Sequence, residues 1–247
     1  MGFFAKMRFP GDRHASMMPS SRGGTGAAAA GSHGVSSAPA RAAHPSGNLR
    51  VSNGLKEFLW NLDGLGHGSL LDLGPVWQST ITFFVERGFK VYADDLLRDW
   101  KQFVTAEDDR LRKIQPGEDA SEMTPESRAD RFLQSHIKYP RDNFDAILLW
   151  DLLDFMERAL VKRFVEHLAD VLRPGGVIFA MFHAGKPESF HRYRILDRQT
   201  LELIATPPLF TVQRSYQNRE IQDLFRGFRS SKSFVGRDQL REVLFMK

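Results

Sequence analysis

The sequence predicts an α/β fold: an open, twisted, mostly parallel sheet with helices on both faces and an antiparallel strand at its C-terminal edge. Three observations predict it. Phe144–Trp150 and Val177–Phe182 are near-continuous apolar runs, as strands covered on both faces require. Amphipathic helical stretches alternate with these runs, which implies parallel strands joined by crossovers. Two adjacent strand-like stretches, 231–235 and 242–246, close the chain and suggest an antiparallel hairpin.

Each element follows from its own pattern. Leu55, Phe58, Leu59 and Leu62 recur at i, i+3, i+4 and i+7, the spacing of one helical face. Glycines 64, 66 and 68 end that helix, and Ser69–Gly74 is a short apolar strand stopping at a glycine. Ile81, Phe84 and Val85 share the face of the next helix, with Gly88 as its cap. Lys90–Ala93 is the second strand and ends at Asp94-Asp95, completing a βαβ unit. Trp100 and Phe103 mark a helix after it. Residues 105–130 are polar, with Pro116-Gly117 and Pro125 as breakers and no strand signal. Arg131–Ile137 reads as a helix before the Phe144 strand. Leu160, Phe164, Leu168 and Leu172 mark the next helix, ended by Arg173-Pro174-Gly175-Gly176. Beyond the Val177 strand, Arg192–Leu196 and Leu209–Gln213 are expected to pair as a small hairpin over the carboxyl edge of the sheet. Ile221, Leu224, Phe225 and Phe228 form a last short helix.

Composition narrows the function. The chain has 247 residues and no cysteine, which excludes disulfides, thiolate metal clusters and cysteine nucleophiles. No apolar run is long enough to span a membrane. The net charge of +4 sits wholly in residues 1–48, where five basic residues face one acid. The remainder is neutral, so no nucleic acid is expected as partner. Gly, Ala, Ser and Pro fill 29 of those 48 positions, and no hydrophobic period survives among them. The expected organisation is a disordered tail over 1–48 and one folded domain over 49–247. The tail reads as a solvated extension, with an organelle transit peptide as the alternative, and the expected location is cytoplasmic.

The stretches Leu71-Asp72-Leu73-Gly74, Asp94-Asp95, Phe144–Asp151 and Leu172–Gly176, in this order, resemble class I S-adenosylmethionine-dependent methyltransferases. The resemblance covers roughly residues 50–247 and implies a Rossmann-like sheet of seven strands, the last antiparallel. It also implies S-adenosylmethionine as cofactor, at the carboxyl ends of the early strands. Asp72, Gly74, Asp94, Asp95 and Asp151 are the cofactor-binding candidates. Asp95 aligns best with the acid that holds the ribose hydroxyls, and strand alternation lets only one of Asp94 and Asp95 face the pocket. The chain departs from the family at the glycine-rich turn, which here reads Gly74-Pro75-Val76-Trp77-Gln78. Val76 and Gln78 are expected to project where the cofactor lies, with Trp77 closing over the site. A third-strand signal is also weak.

His183 is the candidate base, with His191 and Tyr193 in the next segment; the plainer reading of all three is polar loop residues. The two histidines lack a third ligand in register, so no metal is expected. Arg192, Arg194, Arg198 and Arg214 suit an anionic acceptor or a plain surface. The expected activity is methyl transfer to a small-molecule substrate. The alternative is a non-catalytic methyltransferase-like module, possible with a protein partner.

Overall fold

In the computed structural model, residues 48–113, 124–187, 189–236 and 238–247 are described. The elements run β1 (Asn48–Val51), α1 (Asn53–Leu62), β2 (Gly68–Asp72), α2 (Gln78–Val85), β3 (Phe89–Ala93), α3 (Leu96–Leu111), α4 (Pro125–His136) and β4 (Phe144–Trp150). A 3-10 turn, Leu152–Phe155, follows. Then come α5 (Arg158–Val171), β5 (Leu172–His183), β6 (His191–Ile195), β7 (Thr200–Ala205), α6 (Asn218–Leu224), β8 (Ser230–Val235) and β9 (Leu240–Met246). The expected tail lies outside the described residues except for Asn48, which opens β1.

Six strands form the central sheet in the order β3-β2-β4-β5-β9-β8. The β3, β2, β4 and β5 pairings are parallel, and β9 runs antiparallel to both of its neighbours. The expected hairpin therefore closes the sheet. The antiparallel C-terminal strand lies one place in from the edge, and β8 forms the edge itself. The resemblance implied seven strands; among the described residues this sheet has six, and the elements described between β3 and β4 are α3 and α4. Phe179 of β5 meets Phe58 of α1 at 5.9 Å, whereas Phe182 meets Phe225, just past α6, at 6.4 Å. Residues three apart on a strand face opposite ways, so helices cover both faces.

Local chemistry explains where elements begin. Ser52 caps α1 by accepting from the Leu55 N–H at 2.9 Å. Pro125, expected to break structure, instead starts α4: Thr124 is the cap, accepting from Ser127, and a first-turn proline has no N–H to lose. The Arg173–Gly176 stretch does not separate helix from strand. α5 ends at Val171, and β5 begins at Leu172 with an irregular register against β4. Gly175 there takes φ +81° and donates to the Lys247 carbonyl at 3.0 Å.

A second, three-stranded antiparallel sheet has the order β1-β7-β6. The expected hairpin over the carboxyl edge is thus real on one side only. β6 pairs with residues 200–205 rather than 209–213. Among the described residues no helix is long and apolar enough to cross a membrane.

Candidate functional site

From β2 the chain crosses outward to β3, and from β4 it crosses to β5 on the other side. The carboxyl ends of β2 and β4 therefore flank a topological switch point, where open α/β sheets leave a crevice. Asp72 ends β2 and is buried. Its Oδ1 accepts the Gly74 N–H at 3.0 Å and the Trp150 indole N–H at 2.7 Å. A Cβ on Gly74 would lie 2.5 Å from that indole, so the glycine serves the close approach of a side chain. Burial pushes the Asp72 carboxyl up to about 6, against the pull of those two hydrogen bonds.

Trp150 is the residue that fills the crevice. It sits at the end of β4 with φ +55°, a left-handed conformation that costs a bulky residue on the order of 1–3 kcal/mol. Its ring stacks on Tyr193 of β6, with centroids 5.6 Å apart and planes 7° from parallel, and meets the edge of Phe179 at 5.9 Å. The cavity left among Pro75, Asp95, Trp150, Asp151, Arg192 and Tyr193 is about 10 Å³. That is room for a single water. Val76 and Gln78, expected to project where the cofactor lies, are exposed and do not line this cavity. Trp77 lies 5.8 Å beneath the Arg194 guanidinium.

The two acids after β3 separate as alternation requires. Asp94 turns to Tyr139 and accepts its phenol hydrogen. Burial first, and then this carboxylate, push that phenol far above its ordinary range. Asp95 lines the crevice, but it is engaged twice. It caps α3 through the Arg98 N–H at 3.3 Å and pairs with Arg192 at 3.2 Å.

Behind Tyr193 lies a buried polar cluster. Asp151 Oδ2 accepts the Tyr193 hydroxyl at 2.9 Å and stands 3.8 Å from His183 Nε2. Asp154, with no exposed surface, accepts the His183 backbone N–H at 2.8 Å and faces its Nδ1 at 2.9 Å through the same oxygen. Its other oxygen is buried without a hydrogen-bond partner. Burial pushes Asp151 up to about 7, while the His183 charge and the Tyr193 hydrogen bond restrain it. Burial lowers the His183 imidazole, but the Asp154 hydrogen bond and the charges of Asp151 and Asp154 outweigh it and leave the imidazole above its ordinary value. His183 also lines an open cavity of about 390 Å³ with Lys186, His191, Tyr193 and Asp238. His191 is held below its ordinary value by burial and by the His183 charge.

The structure thus brings Asp72, Gly74, Asp95 and Asp151 to one crevice, turns Asp94 away, and places His183 one side chain behind it. The four arginines considered for an anionic acceptor are each paired: Arg192 with Asp95, Arg194 with Glu202, Arg198 with Asp63 and Arg214 with Glu220. Asp154 and Trp150 are the residues whose roles sequence reasoning missed. The available signal was a tryptophan at the last position of a strand that ends at the switch point.

No protein-family model and no curated protein matches this sequence. Among solved structures the chain is similar to the 1,6-didemethyltoxoflavin-N1-methyltransferase of Burkholderia thailandensis, with bound 1,6-didemethyltoxoflavin and S-adenosylhomocysteine. The identity is 17%, the match covers 78% of this chain and 74% of that one, and the TM-score is 0.42. It is also similar to an S-adenosylmethionine-dependent methyltransferase from Mesorhizobium loti (14% identity, 77% and 96% covered, TM-score 0.44). A third is a SAM-dependent methyltransferase from Aquifex aeolicus (15% identity, 77% and 88% covered, TM-score 0.41). Likeness at this level leaves the chemistry to this chain's own side chains.

Proposed function

We propose that the chain is an S-adenosylmethionine-dependent methyltransferase acting on a small-molecule acceptor. The observation that carries this reading is positional. Asp72, Gly74 and Asp95 end the first two parallel strands beside the switch point, where a carboxylate can accept both hydroxyls of a ribose.

The cofactor supplies an electrophilic methyl group when bound. This chain's contribution is binding and a proton site. Asp95 would hold the ribose, and Asp151 would offer a carboxylate to the cationic end. In the tautomer that donates from Nδ1 to Asp154, His183 keeps a lone pair on Nε2 that can take a proton from an acceptor hydroxyl or amine. Asp154 holds the ring in that orientation. These side chains fit the cofactor in chemistry and do not fit it in volume, because Trp150 and Tyr193 occupy the space.

The filled crevice, together with a turn that keeps one glycine, favours a second reading: a non-catalytic module of the same fold that binds a protein partner. Calorimetric titration of the full chain with S-adenosylhomocysteine separates the two. Saturable binding supports the enzyme, and an absence of heat at millimolar ligand supports the module.

A further inference from the structure

The Trp150–Tyr193 stack occupies the space that the cofactor of the proposed function needs, and its construction is that of a movable part. We propose that these two rings are a plug: the resting protein keeps its own crevice closed, and ligand enters when β6 lifts Tyr193 away and the indole swings out. The inference rests on the reading of the crevice as a cofactor site.

Three observations carry it. First, the indole is held by partners at the crevice rather than by the body of the core alone. Its N–H bonds Asp72, its face bonds Tyr193, and Gly74 leaves room beneath it. Second, Trp150 is held at φ +55° next to a register shift between β4 and β5. A strained backbone persists only while its surroundings impose it, so the contacts that hold the ring also hold this conformation. Third, Tyr193 belongs to the three-stranded sheet, whose ladder is separate from the six-stranded one. Toward the crevice β6 is fastened by separate hydrogen bonds: Tyr193 to Asp151, Arg192 to Asp95, and the Ile195 N–H to Thr80 Oγ1 of α2. A strand tied by separate hydrogen bonds rather than by a shared ladder can tilt without breaking a sheet.

Closure lowers apparent affinity by the fraction of molecules that are open. Removing the plug therefore tightens binding without adding a contact. Glycine at position 150 tolerates φ +55° and removes the ring, so Trp150→Gly opens the crevice with the backbone intact. Tyr193→Ala removes the other half of the stack and serves if the first variant does not fold.

The test titrates the full-length wild type, Trp150→Gly and Tyr193→Ala with two probes, S-adenosylhomocysteine and indole. The expected result is that S-adenosylhomocysteine binds the variants at least tenfold tighter than the wild type. Indole is expected to bind Trp150→Gly, to compete there with S-adenosylhomocysteine, and to leave the wild type untouched. Equal affinity of all three proteins for S-adenosylhomocysteine overturns the plug and leaves the cofactor reading standing. Indole binding to Trp150→Gly with no S-adenosylhomocysteine binding to any protein shows that the vacated cavity has formed, and it removes the cofactor reading and the plug together. If Trp150→Gly and Tyr193→Ala bind neither probe, no closed crevice exists and the plug is overturned.

Discussion

Asp72 holds a buried negative charge that the fold only partly compensates. Its carboxyl titrates at about 6 in the folded protein because burial outweighs the hydrogen bonds from Trp150 and Gly74. In the unfolded chain it titrates near the ordinary value of about 4. The folded value is the higher one, so the folded state holds the proton more tightly. Stability from this group is full below about pH 4 and is lost as pH rises through about 6. Asp151, at about 7, and His183, also raised, act in the same direction. Asp72→Asn keeps an oxygen that can accept both N–H groups and cannot ionise. We expect it to be close to neutral at pH 4 and to be stabilising at pH 8 by up to about 3 kcal/mol, since the fold pushes the carboxyl from about 4 up to about 6. Urea denaturation at a series of pH values measures this. A difference between variant and wild type that does not change with pH would remove Asp72 as the titrating group.

At the scale of elements, a strand end and a helix start share one side chain. Asp95 reads in sequence as the free carboxylate ending the second strand, with little to lose on substitution. In the fold it is the cap of α3 and the partner of Arg192. Asp95→Ala is therefore expected to destabilise the protein by about 1–2 kcal/mol, most of it the lost cap. Asp95→Asn retains a capping oxygen and should recover more than half of that in chemical denaturation. Equal losses for the two variants would mean that the charge, not the cap, carries the effect. The same contrast shows what was legible. α1 and α5 were visible because burial on one face writes a 3.6-residue period, and β4 and β5 because burial on both faces writes a run. β1 and β7 were not visible. β1 is short and largely exposed, and in β7 the adjacent Leu201 and Glu202 are both buried, which breaks the period of two. The acids of the crevice were legible as strand ends. Its filling was not, because Trp150 and Asp72 stand 78 residues apart and only the register of β2 on β4 brings them together.

The whole molecule depends on how its two sheets are joined. Glu242 of β9 is buried in the six-stranded sheet, where Oε2 accepts the Gly54 N–H at 2.6 Å. A Cβ on Gly54 would lie 2.8 Å from that carboxylate, so the start of α1 is shaped around it. The charge is answered by Arg50 of β1, from the other sheet, which also pairs with Asp238 and donates to the Leu240 carbonyl at 3.3 Å. One guanidinium thus pins β1 to β9, and β7 carries that attachment on to β6 and Tyr193. Breaking a buried pair from one side leaves an uncompensated charge, which costs about 3–5 kcal/mol, whereas replacing both partners by apolar groups is often near neutral. Arg50→Met is accordingly expected to lower stability by an amount in that range. The double variant Arg50→Met with Glu242→Met should recover at least half of it, less what the Gly54 N–H loses with its acceptor. A double-mutant cycle in urea reads the coupling directly. If Arg50→Met costs less than about 1 kcal/mol, the Arg50–Glu242 pair does not hold β1 to β9, and the sheets are joined by their other contacts.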